Sequence, residues 1–194
     1  MINEKPPFLK THLWSLVLII LVVAMGVEIL LLVQENRQLR SALTARRGPF
    51  TILNPEEKVP SLVGIDQKGE EVKVEYPSAE QTVLFWFSAA CPSCEHNVEF
   101  WRELYQKHRS AGFRFFGATT AGEGKIEEFL EKSQLEFPVL TVSDYSLLDQ
   151  YKVEVIPQTM LIDGRGLVLK VWPGPLSDNY RMEIEEMIGS SSGY

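Results

Sequence analysis

The distribution of apolar residues predicts a membrane-spanning helix near the start of the chain. Residues 13–33 are apolar almost throughout, and Glu28 is the one charged residue among them. Twenty-one helical residues at about 1.5 Å each span roughly 30 Å, the thickness of the hydrocarbon core of a bilayer. A soluble helix of this length keeps a polar face, and a cleavable signal peptide has a shorter apolar run followed by a small-residue cleavage site. We therefore predict a retained transmembrane helix at 13–33, preceded by an N-terminal tail at 1–12.

The next segment, residues 34–57, has the pattern of a juxtamembrane helix followed by a linker. Apolar residues recur at alternating spacings of four and three, which is typical of a coiled-coil seam, and Asn36 occupies one seam position. The helix is expected to end at Gly48-Pro49, and Asn54-Pro55 supplies a second break, so residues 48–57 are predicted to be a linker. The seam consists of Met25, Ile29, Leu32, Asn36, Leu39 and Leu43.

From Lys58 to residue 194 the pattern is that of a globular α/β domain. The continuous apolar run at 82–89 is typical of a strand that is buried on both faces of a sheet. Strands and helices alternate, and a hairpin and a terminal helix follow, which predicts a mixed sheet covered by helices on both faces. The predicted strands lie at 59–74 (two, around a turn at Gly69), 82–89, 112–120, 137–143, 158–163 and 167–172, and the helices at 91–108, 124–134, 147–151 and 180–188.

The charge of the chain is distributed unevenly between these parts. Of 19 basic and 26 acidic residues, residues 1–47 carry six basic and three acidic ones, so residues 48–194 have a net charge of −10. An acidic domain does not bind phosphate backbones, which excludes nucleic acid as the expected partner. An apolar content of 45% excludes a disordered chain, and two cysteines are too few for a disulfide-stapled miniprotein.

Cys91-Pro92-Ser93-Cys94 is the motif that is most informative about chemistry, because it follows a predicted buried strand and opens a predicted helix. Pro92 suits the first helical turn, where its missing N–H is no loss. Cys91 then lies at the N-cap, facing unsatisfied N–H groups and the positive end of the helix dipole, and both favour the thiolate. Cys94, one turn further along, is placed to attack a mixed disulfide on Cys91. Pro92 and Ser93 support this pair as the residues between the cysteines.

Two other uses of this CxxC pair are less favoured. A zinc site needs about four ligands, and the three histidines that could complete one include His12 at the membrane and His108 at the far end of the helix. A structural disulfide within one helical turn encloses almost no chain and therefore stabilises little. The sequence predicts a redox-active pair, with no metal and no organic cofactor.

Two motifs together resemble a known family. W-F-S-A-A-C-P-S-C at 86–94 and Y-K-V-E-V-I-P-Q-T-M-L-I-D-G-R-G at 151–166 are similar to the motifs of a thioredoxin-fold domain. Their spacing, with an extra strand–helix segment between them, resembles that of the membrane-tethered thiol–disulfide oxidoreductases of TlpA-like, redoxin type, which serve cytochrome c maturation and periplasmic cofactor assembly. The resemblance covers Lys58 to about Ile188.

The resemblance implies a site and a class of partner. Cys91 and Cys94 are the catalytic pair that it implies. Protein thiols or disulfides are the expected substrates, and a membrane-bound or soluble redox protein is a further expected partner. It further implies that Ile156-Pro157 is a cis peptide facing the cysteines. The backbone at Ile156 then pairs with a substrate strand beside Cys91, which makes Ile156 and Pro157 the expected substrate-binding residues.

Four positions depart from the family pattern. Ala90 stands where most relatives carry Trp, and Phe85 stands where thioredoxins carry a buried acid. Asn97 and Glu99 replace a Glu and a Pro that often follow the second cysteine. The S-x-x-C-P-x-C form resembles the branch that assists methylamine dehydrogenase maturation. Without a carboxylate at position 85, proton removal from Cys94 must use water or another group, and the redox direction stays open.

Two further functions are kept as alternatives. Ser88-x-x-Cys91 resembles the T/S-x-x-C motif of peroxiredoxins, so a thiol peroxidase is the second candidate enzyme. A membrane-tethered assembly factor whose CxxC plays no catalytic part is the candidate without enzyme activity.

Two criteria predict opposite orientations of the chain in the membrane. Lys5 and Lys10 precede the predicted span, whereas Arg37, Arg40, Arg46 and Arg47 follow it closely. The positive-inside bias would therefore place the domain in the cytoplasm. The family resemblance implies an extracytoplasmic domain, where disulfides form, and this is the location that we predict.

The coiled-coil seam predicts a parallel homodimer through residues 29–43. Asn36 at a core position selects two strands in register, because each Asn can hydrogen-bond its counterpart. In a background without Cys91 and Cys94, Leu39→Cys should therefore crosslink readily in membranes. Arg37→Cys, which lies off the seam, should crosslink poorly. A flat crosslinking profile along residues 35–43 would show that the segment is a monomeric juxtamembrane helix.

Overall fold

The computed structural model describes residues 8–46, 50–76, 79–120 and 126–191. The chain divides into two compact units, Met1–Pro49 and Phe50–Tyr194. The predicted helix end at Gly48-Pro49 and the predicted helix start at Gly124 both lie outside the described residues.

The first unit is a single long helix. Helix α1 spans Phe8–Arg46, and its 39 residues correspond to about 58 Å. Within it, Val17–Glu35 has a mean hydropathy of 2.8 and is long and apolar enough to cross a membrane. The large apolar side chains of Trp14 and of the residues from Val17 to Val33 are 44–71% exposed within this helix. The predicted juxtamembrane helix continues α1 as far as Arg46, but the seam side chains of Asn36, Leu39 and Leu43 lie outside the described ones.

The second unit is built on a seven-stranded mixed sheet with the strand order β2-β1-β5-β4-β3-β6-β7. Strands β3, β4 and β5 run parallel to one another, and the other neighbouring pairs are antiparallel. This confirms the predicted mixed α/β sheet. The strands are β1 (Leu62–Ile65), β2 (Glu71–Val74), β3 (Gln81–Trp86), β4 (Phe113–Thr120), β5 (Val139–Val142), β6 (Gln158–Ile162) and β7 (Val168–Pro173), and the helices are α2 (Pro92–His108), α3 (Ile126–Ser133), α4 (Ser146–Gln150) and α5 (Asp178–Ser191).

Each face of the sheet carries its own hydrophobic core. Helices α2, α3 and α5 pack on one face, where Phe85 of β3 stacks on Trp101 of α2 with ring centroids 4.9 Å apart. Helix α4 and the chain segment before β1 pack on the other face. There the ring centroids of Trp86 of β3 and Tyr151 are 5.5 Å apart. Because neighbouring residues of a strand point to opposite faces, β3 contributes to both cores and is buried on both sides.

Two buried tyrosines attach the segment before β1 to the second core. The Tyr151 hydroxyl donates to the Pro60 carbonyl oxygen at 2.6 Å, and the Tyr76 hydroxyl lies 2.6 Å from that of Tyr151. Since the Tyr151 proton is directed to Pro60, Tyr76 is the donor to Tyr151. Burial raises the pKa of Tyr76 to about 12 and also raises the pKa of Tyr151. Both hydroxyls therefore keep their protons, and with them these hydrogen bonds, at physiological pH.

Residues 50–57 differ from the predicted linker, because the structure packs them against the sheet. The Leu53 side chain is only 4% exposed and belongs to the second core. The Glu56 N–H donates to the Val168 carbonyl oxygen at 2.8 Å, and the Thr51 N–H donates to a Glu154 carboxylate oxygen at 3.1 Å. The compact unit accordingly begins at Phe50, whereas the sequence predicts a domain that begins at Lys58.

Candidate active site

The turn after β3 carries the first cysteine to the start of α2. The Phe87 N–H donates to the Ala118 carbonyl oxygen at 3.0 Å, which keeps the chain beside β4 just past the end of β3. Ser88 then closes the turn, because its carbonyl oxygen accepts the Cys91 N–H at 3.1 Å and its hydroxyl oxygen accepts the Ala90 N–H at 3.2 Å. Ser88 is 3% exposed, and the hydrogen bond that its hydroxyl accepts stabilises this turn.

Cys91 lies at the N-cap of α2, as the sequence predicts. Its backbone is extended, with φ −98° and ψ 108°, and Pro92 is the first helical residue. The Cys94 N–H donates to the Cys91 carbonyl oxygen at 3.0 Å, which closes the first turn of the helix. The Cys91 side chain makes no capping hydrogen bond to the helix. Its sulfur is therefore not committed to the cap, and it stands at the positive end of the helix dipole.

The two cysteines differ in exposure. Cys91 is half-buried, whereas Cys94 is 0% exposed and belongs to the core between α2 and the sheet. Ser93, between them, is half-buried, and Pro92 is exposed. A solvent-borne sulfur can therefore reach Cys91, and Cys94 faces inward.

The Ile156-Pro157 segment lies beside Cys91. Its peptide bond is cis, which confirms the expectation from the family resemblance. The Cys91 sulfur is 3.9 Å from the Ile156 carbonyl oxygen, across 65 residues of sequence. Ile156 is half-buried and Pro157 is buried. The structure thus brings Cys91 next to the Ile156-Pro157 segment, and Cys94 follows one turn further along α2.

The positions that depart from the family pattern have different surroundings. Phe85 is fully buried against Trp101, so an aromatic ring fills the place of the acid of thioredoxins. Glu99 is exposed. Asn97 is 0% exposed, and its side chain bonds backbone groups of the loop between β7 and α5. The sequence contains a signal for this role, because Asn97 falls in the buried stripe of α2 that also includes Cys94, Trp101 and Leu104.

The charged groups near the start of α2 are exposed. Lys132 of α3 bonds a Glu95 carboxylate oxygen at 2.9 Å, and this contact lowers the pKa of Glu95. The His96 ring nitrogen Nδ1 lies 3.2 Å from the Pro92 carbonyl oxygen, which places the imidazole along the outside of the helix. Within the described part of the chain, no group of three or more His, Cys, Asp or Glu side chains is placed to hold a metal ion.

Comparison with known protein families shows to which family the chain belongs. The model of the AhpC/TSA family matches residues 55–171, which include both cysteines and the Ile156-Pro157 segment. The chain belongs to this family. The match extends from just before β1 into β7 and so covers the sheet on which the site is built.

Two relatives of the chain indicate the class of enzyme to which the domain belongs. The chain is 25% identical over 134 residues to the thiol–disulfide oxidoreductase ResA of Halalkalibacterium halodurans, covering 68% of this chain and 76% of that protein. It is 27% identical over 138 residues to ResA of Bacillus subtilis, covering 69% and 76% respectively. These relatives confirm that the domain is a thiol–disulfide oxidoreductase.

The solved structures show the fold. A candidate thiol:disulfide interchange protein DsbE of Chlorobium tepidum superposes with a TM-score of 0.65 at 22% identity, over 73% of this chain and 99% of that one. StoA of Bacillus subtilis superposes with a TM-score of 0.55 at 20% identity, over 68% of this chain and 98% of that one. The thioredoxin-like fold predicted from the two motifs is therefore confirmed.

The difference in burial predicts a difference in thiol reactivity. In variants that retain one cysteine each, Cys91 in Cys94→Ser should react with iodoacetamide near neutral pH at least about tenfold faster than Cys94 in Cys91→Ser, because a buried thiol reacts only when the structure opens. Rates measured by mass spectrometry in native protein, with urea-unfolded protein as the control for intrinsic reactivity, test this. Equal rates in the native state would contradict the assignment of Cys91 as the accessible thiol.

Proposed function

We propose that this chain is a membrane-tethered thiol–disulfide oxidoreductase that exchanges the Cys91–Cys94 dithiol or disulfide with protein substrates outside the cytoplasm. One observation carries the proposal. The half-buried Cys91 stands at the N-terminus of α2 beside the Ile156 carbonyl oxygen, and Cys94 lies one helical turn behind it in the core. An accessible thiol with a second thiol directly behind it is the arrangement that exchange through a mixed disulfide requires.

The exchange proceeds in two displacements. In the reducing direction, the Cys91 thiolate attacks one sulfur of a substrate disulfide, a Cys91–substrate S–S bond forms, and the other substrate sulfur leaves as a thiolate that takes up a proton. Cys94 then loses its proton and attacks the Cys91 sulfur, which forms the Cys91–Cys94 bond and releases the second substrate thiol. Two electrons pass to the substrate, and the reverse sequence oxidises a substrate dithiol.

The substrate-binding residues follow from the position of Ile156. Its carbonyl oxygen lies 3.9 Å from the Cys91 sulfur, so an extended substrate segment that pairs with the Ile156 backbone would hold its own sulfur next to Cys91. Pro157, the next residue along the chain, is buried. We infer that the substrates are cysteine-containing proteins in an extended conformation, as in the maturation of cytochromes c that the family resemblance indicates.

The membrane attachment rests on α1. Its segment Val17–Glu35 exposes apolar side chains within that helix, which is stable only against lipid or another apolar surface. A signal sequence has a similar composition and also lies near an N-terminus. The length of α1 and its continuation as a helix to Arg46 favour a retained anchor.

A thiol peroxidase is the second candidate, favoured by the match to the AhpC/TSA family and by Ser88-x-x-Cys91. The Ser88 hydroxyl accepts a backbone N–H of its own turn and is buried, which favours a part in the turn over one in peroxide binding. Consumption of hydrogen peroxide with dithiothreitol as the donor separates the two activities. An assembly factor without catalysis would keep its cellular role in Cys91→Ser.

Trapping of substrates tests the exchange reaction. Cys94→Ser should accumulate mixed disulfides between Cys91 and protein substrates, because the thiol that resolves them is gone. Non-reducing electrophoresis of the purified full-length protein should show higher-mass species that dithiothreitol removes. The matched control Cys91→Ser retains the buried Cys94 and should trap little. Equal trapping by both variants, or none by either, would refute exchange through Cys91.

Topology is tested separately. A reporter that is active only outside the cytoplasm, fused after Tyr194, should be active, and a cytoplasmic reporter at the same place should be inactive. Thiol trapping of the same cells then gives the redox state of Cys91 and Cys94. The reverse reporter pattern would place the domain in the cytoplasm, in agreement with the flanking charges.

A further inference from the structure

The buried side chain of Asn97 joins helix α2, which carries the two cysteines, to the loop between β7 and α5. The side-chain oxygen of Asn97 accepts the Leu176 N–H at 2.8 Å, and its side-chain nitrogen donates to the Gly174 carbonyl oxygen at 3.4 Å. Gly174 and Leu176 lie between the end of β7 and the start of α5. One amide side chain, three residues after Cys94, thus satisfies two backbone groups of this loop.

The same loop holds the Ile156-Pro157 segment. The Gly174 N–H donates to the Pro157 carbonyl oxygen at 2.7 Å. Gly174 has φ +80°, a conformation that favours glycine, and this backbone turn presents its N–H to Pro157 and its carbonyl to Asn97. A continuous series of contacts therefore runs from α2 through Asn97 and Gly174 to Pro157, and returns to α2 where the Ile156 carbonyl oxygen meets the Cys91 sulfur.

Arg181 of α5 fixes this loop from its other side. The Arg181 guanidinium donates to the Leu176 carbonyl oxygen at 3.3 Å and to the His96 carbonyl oxygen at 3.1 Å, and it lies 5.5 Å from the centre of the Phe100 ring. Leu176 is thus held at both of its backbone groups. Asn97 bonds Gly174 as well, and the Gly174 N–H donates to Pro157.

We propose that Asn97 is a positioning residue that sets where the Ile156 backbone lies relative to Cys91, and thereby how well an extended protein substrate binds. This inference rests on the function proposed above. Asn97 acts through its bond to Gly174, whose N–H in turn bonds Pro157.

The amide is the group that suits this position. It offers an acceptor to the Leu176 N–H and a donor to the Gly174 carbonyl oxygen. Asp would keep the acceptor but would set a second oxygen against the Gly174 carbonyl. Ala would leave both buried backbone groups without this partner, which is costly in a dry environment.

Two disulfides of different size test the proposal. Full-length protein in detergent is reduced with dithiothreitol and separated from it, and its single turnover is then followed with a glutathionylated peptide, which can pair with the Ile156 backbone, and with dithiobis(nitrobenzoate), which cannot. Both probes react at the Cys91 thiolate, so the ratio of their rates cancels any change in thiol reactivity. Asn97→Ala should lower the second-order rate constant for the peptide about five- to tenfold, mainly through weaker binding, and should leave the rate constant for the small disulfide within about twofold.

Three further variants separate the loss of the Asn97 contacts from other effects of a substitution. Glu99→Gln, at an exposed position of the same helix, should match wild type with both probes. Thr159→Val removes the hydroxyl that accepts the Trp101 N–H at 3.3 Å, so it loses a buried hydrogen bond under α2 without touching the loop, and it should keep the wild-type ratio. Asn97→Asp, which keeps the Leu176 contact, should show the same selective loss as Asn97→Ala and decides the question if Asn97→Ala does not fold.

The results separate this inference from the function on which it rests. A wild-type protein that does not turn over the peptide would refute the proposed function. A wild-type protein that does, combined with Asn97 variants whose two rates fall in parallel or not at all, would overturn the positioning role alone. Failure of both Asn97 variants to fold would overturn it as well, since Asn97 would then be a residue required for the fold.

Discussion

The candidate site depends on the burial of one face of α2 against the sheet. Trp101 and Leu104 are fully buried in that face, and Trp101 stacks on Phe85 of β3. Because an α-helix repeats every 3.6 residues, burial of these positions also directs Cys94 and Asn97 inward. Cys91, at the N-cap just ahead of the first turn, is left at the surface. The inequality of the two thiols is thus a consequence of helix packing.

The same packing imposes a restriction on proton transfer. The face of α2 that buries Cys94 is lined by aromatic side chains, and Phe85 occupies the place that a carboxylic acid occupies in thioredoxins. A ring there contributes to the core through its contacts with Trp101 and Phe137 but can neither accept nor donate a proton. The Asn97 side chain, three residues after Cys94, is committed to two backbone groups. In the proposed exchange, the proton of Cys94 therefore passes to water or to a group other than residue 85.

Helix α1 and the catalytic domain obey different physical rules. In the segment Val17–Glu35 of α1 the apolar residues surround the helix, which suits a lipid environment, whereas α2 of the domain has one buried and one exposed face. In the function proposed above, a tether through α1 restricts the catalytic domain to the neighbourhood of the membrane and so raises its effective concentration for substrates that emerge there. The acidic character of residues 48–194 also disfavours a close approach to anionic lipid headgroups, since like charges repel within a Debye length.

Local patterns in the sequence determined much of this protein. The apolar run at 13–33, the period-two and period-3.6 patterns after Lys58, and the Cys91-Pro92-Ser93-Cys94 motif at a strand–helix boundary were enough to predict the long apolar helix, the order of the elements and the accessible and buried cysteines. Each of these features depends on residues that are close in the chain. The similarity of two motifs to a known family added the cis peptide at Ile156-Pro157.

Tertiary structure alone decided the contacts between distant segments. The packing of residues 50–57 on the sheet depends on Val168 and Glu154, more than 90 residues away, so no local pattern distinguishes that segment from a linker. The connection from Asn97 to Gly174 and Leu176 likewise spans more than 70 residues. The helical pattern of α2 predicts that the Asn97 side chain is buried. Its partners are backbone groups, and because every residue offers backbone groups, only the fold decides which of them lie next to Asn97.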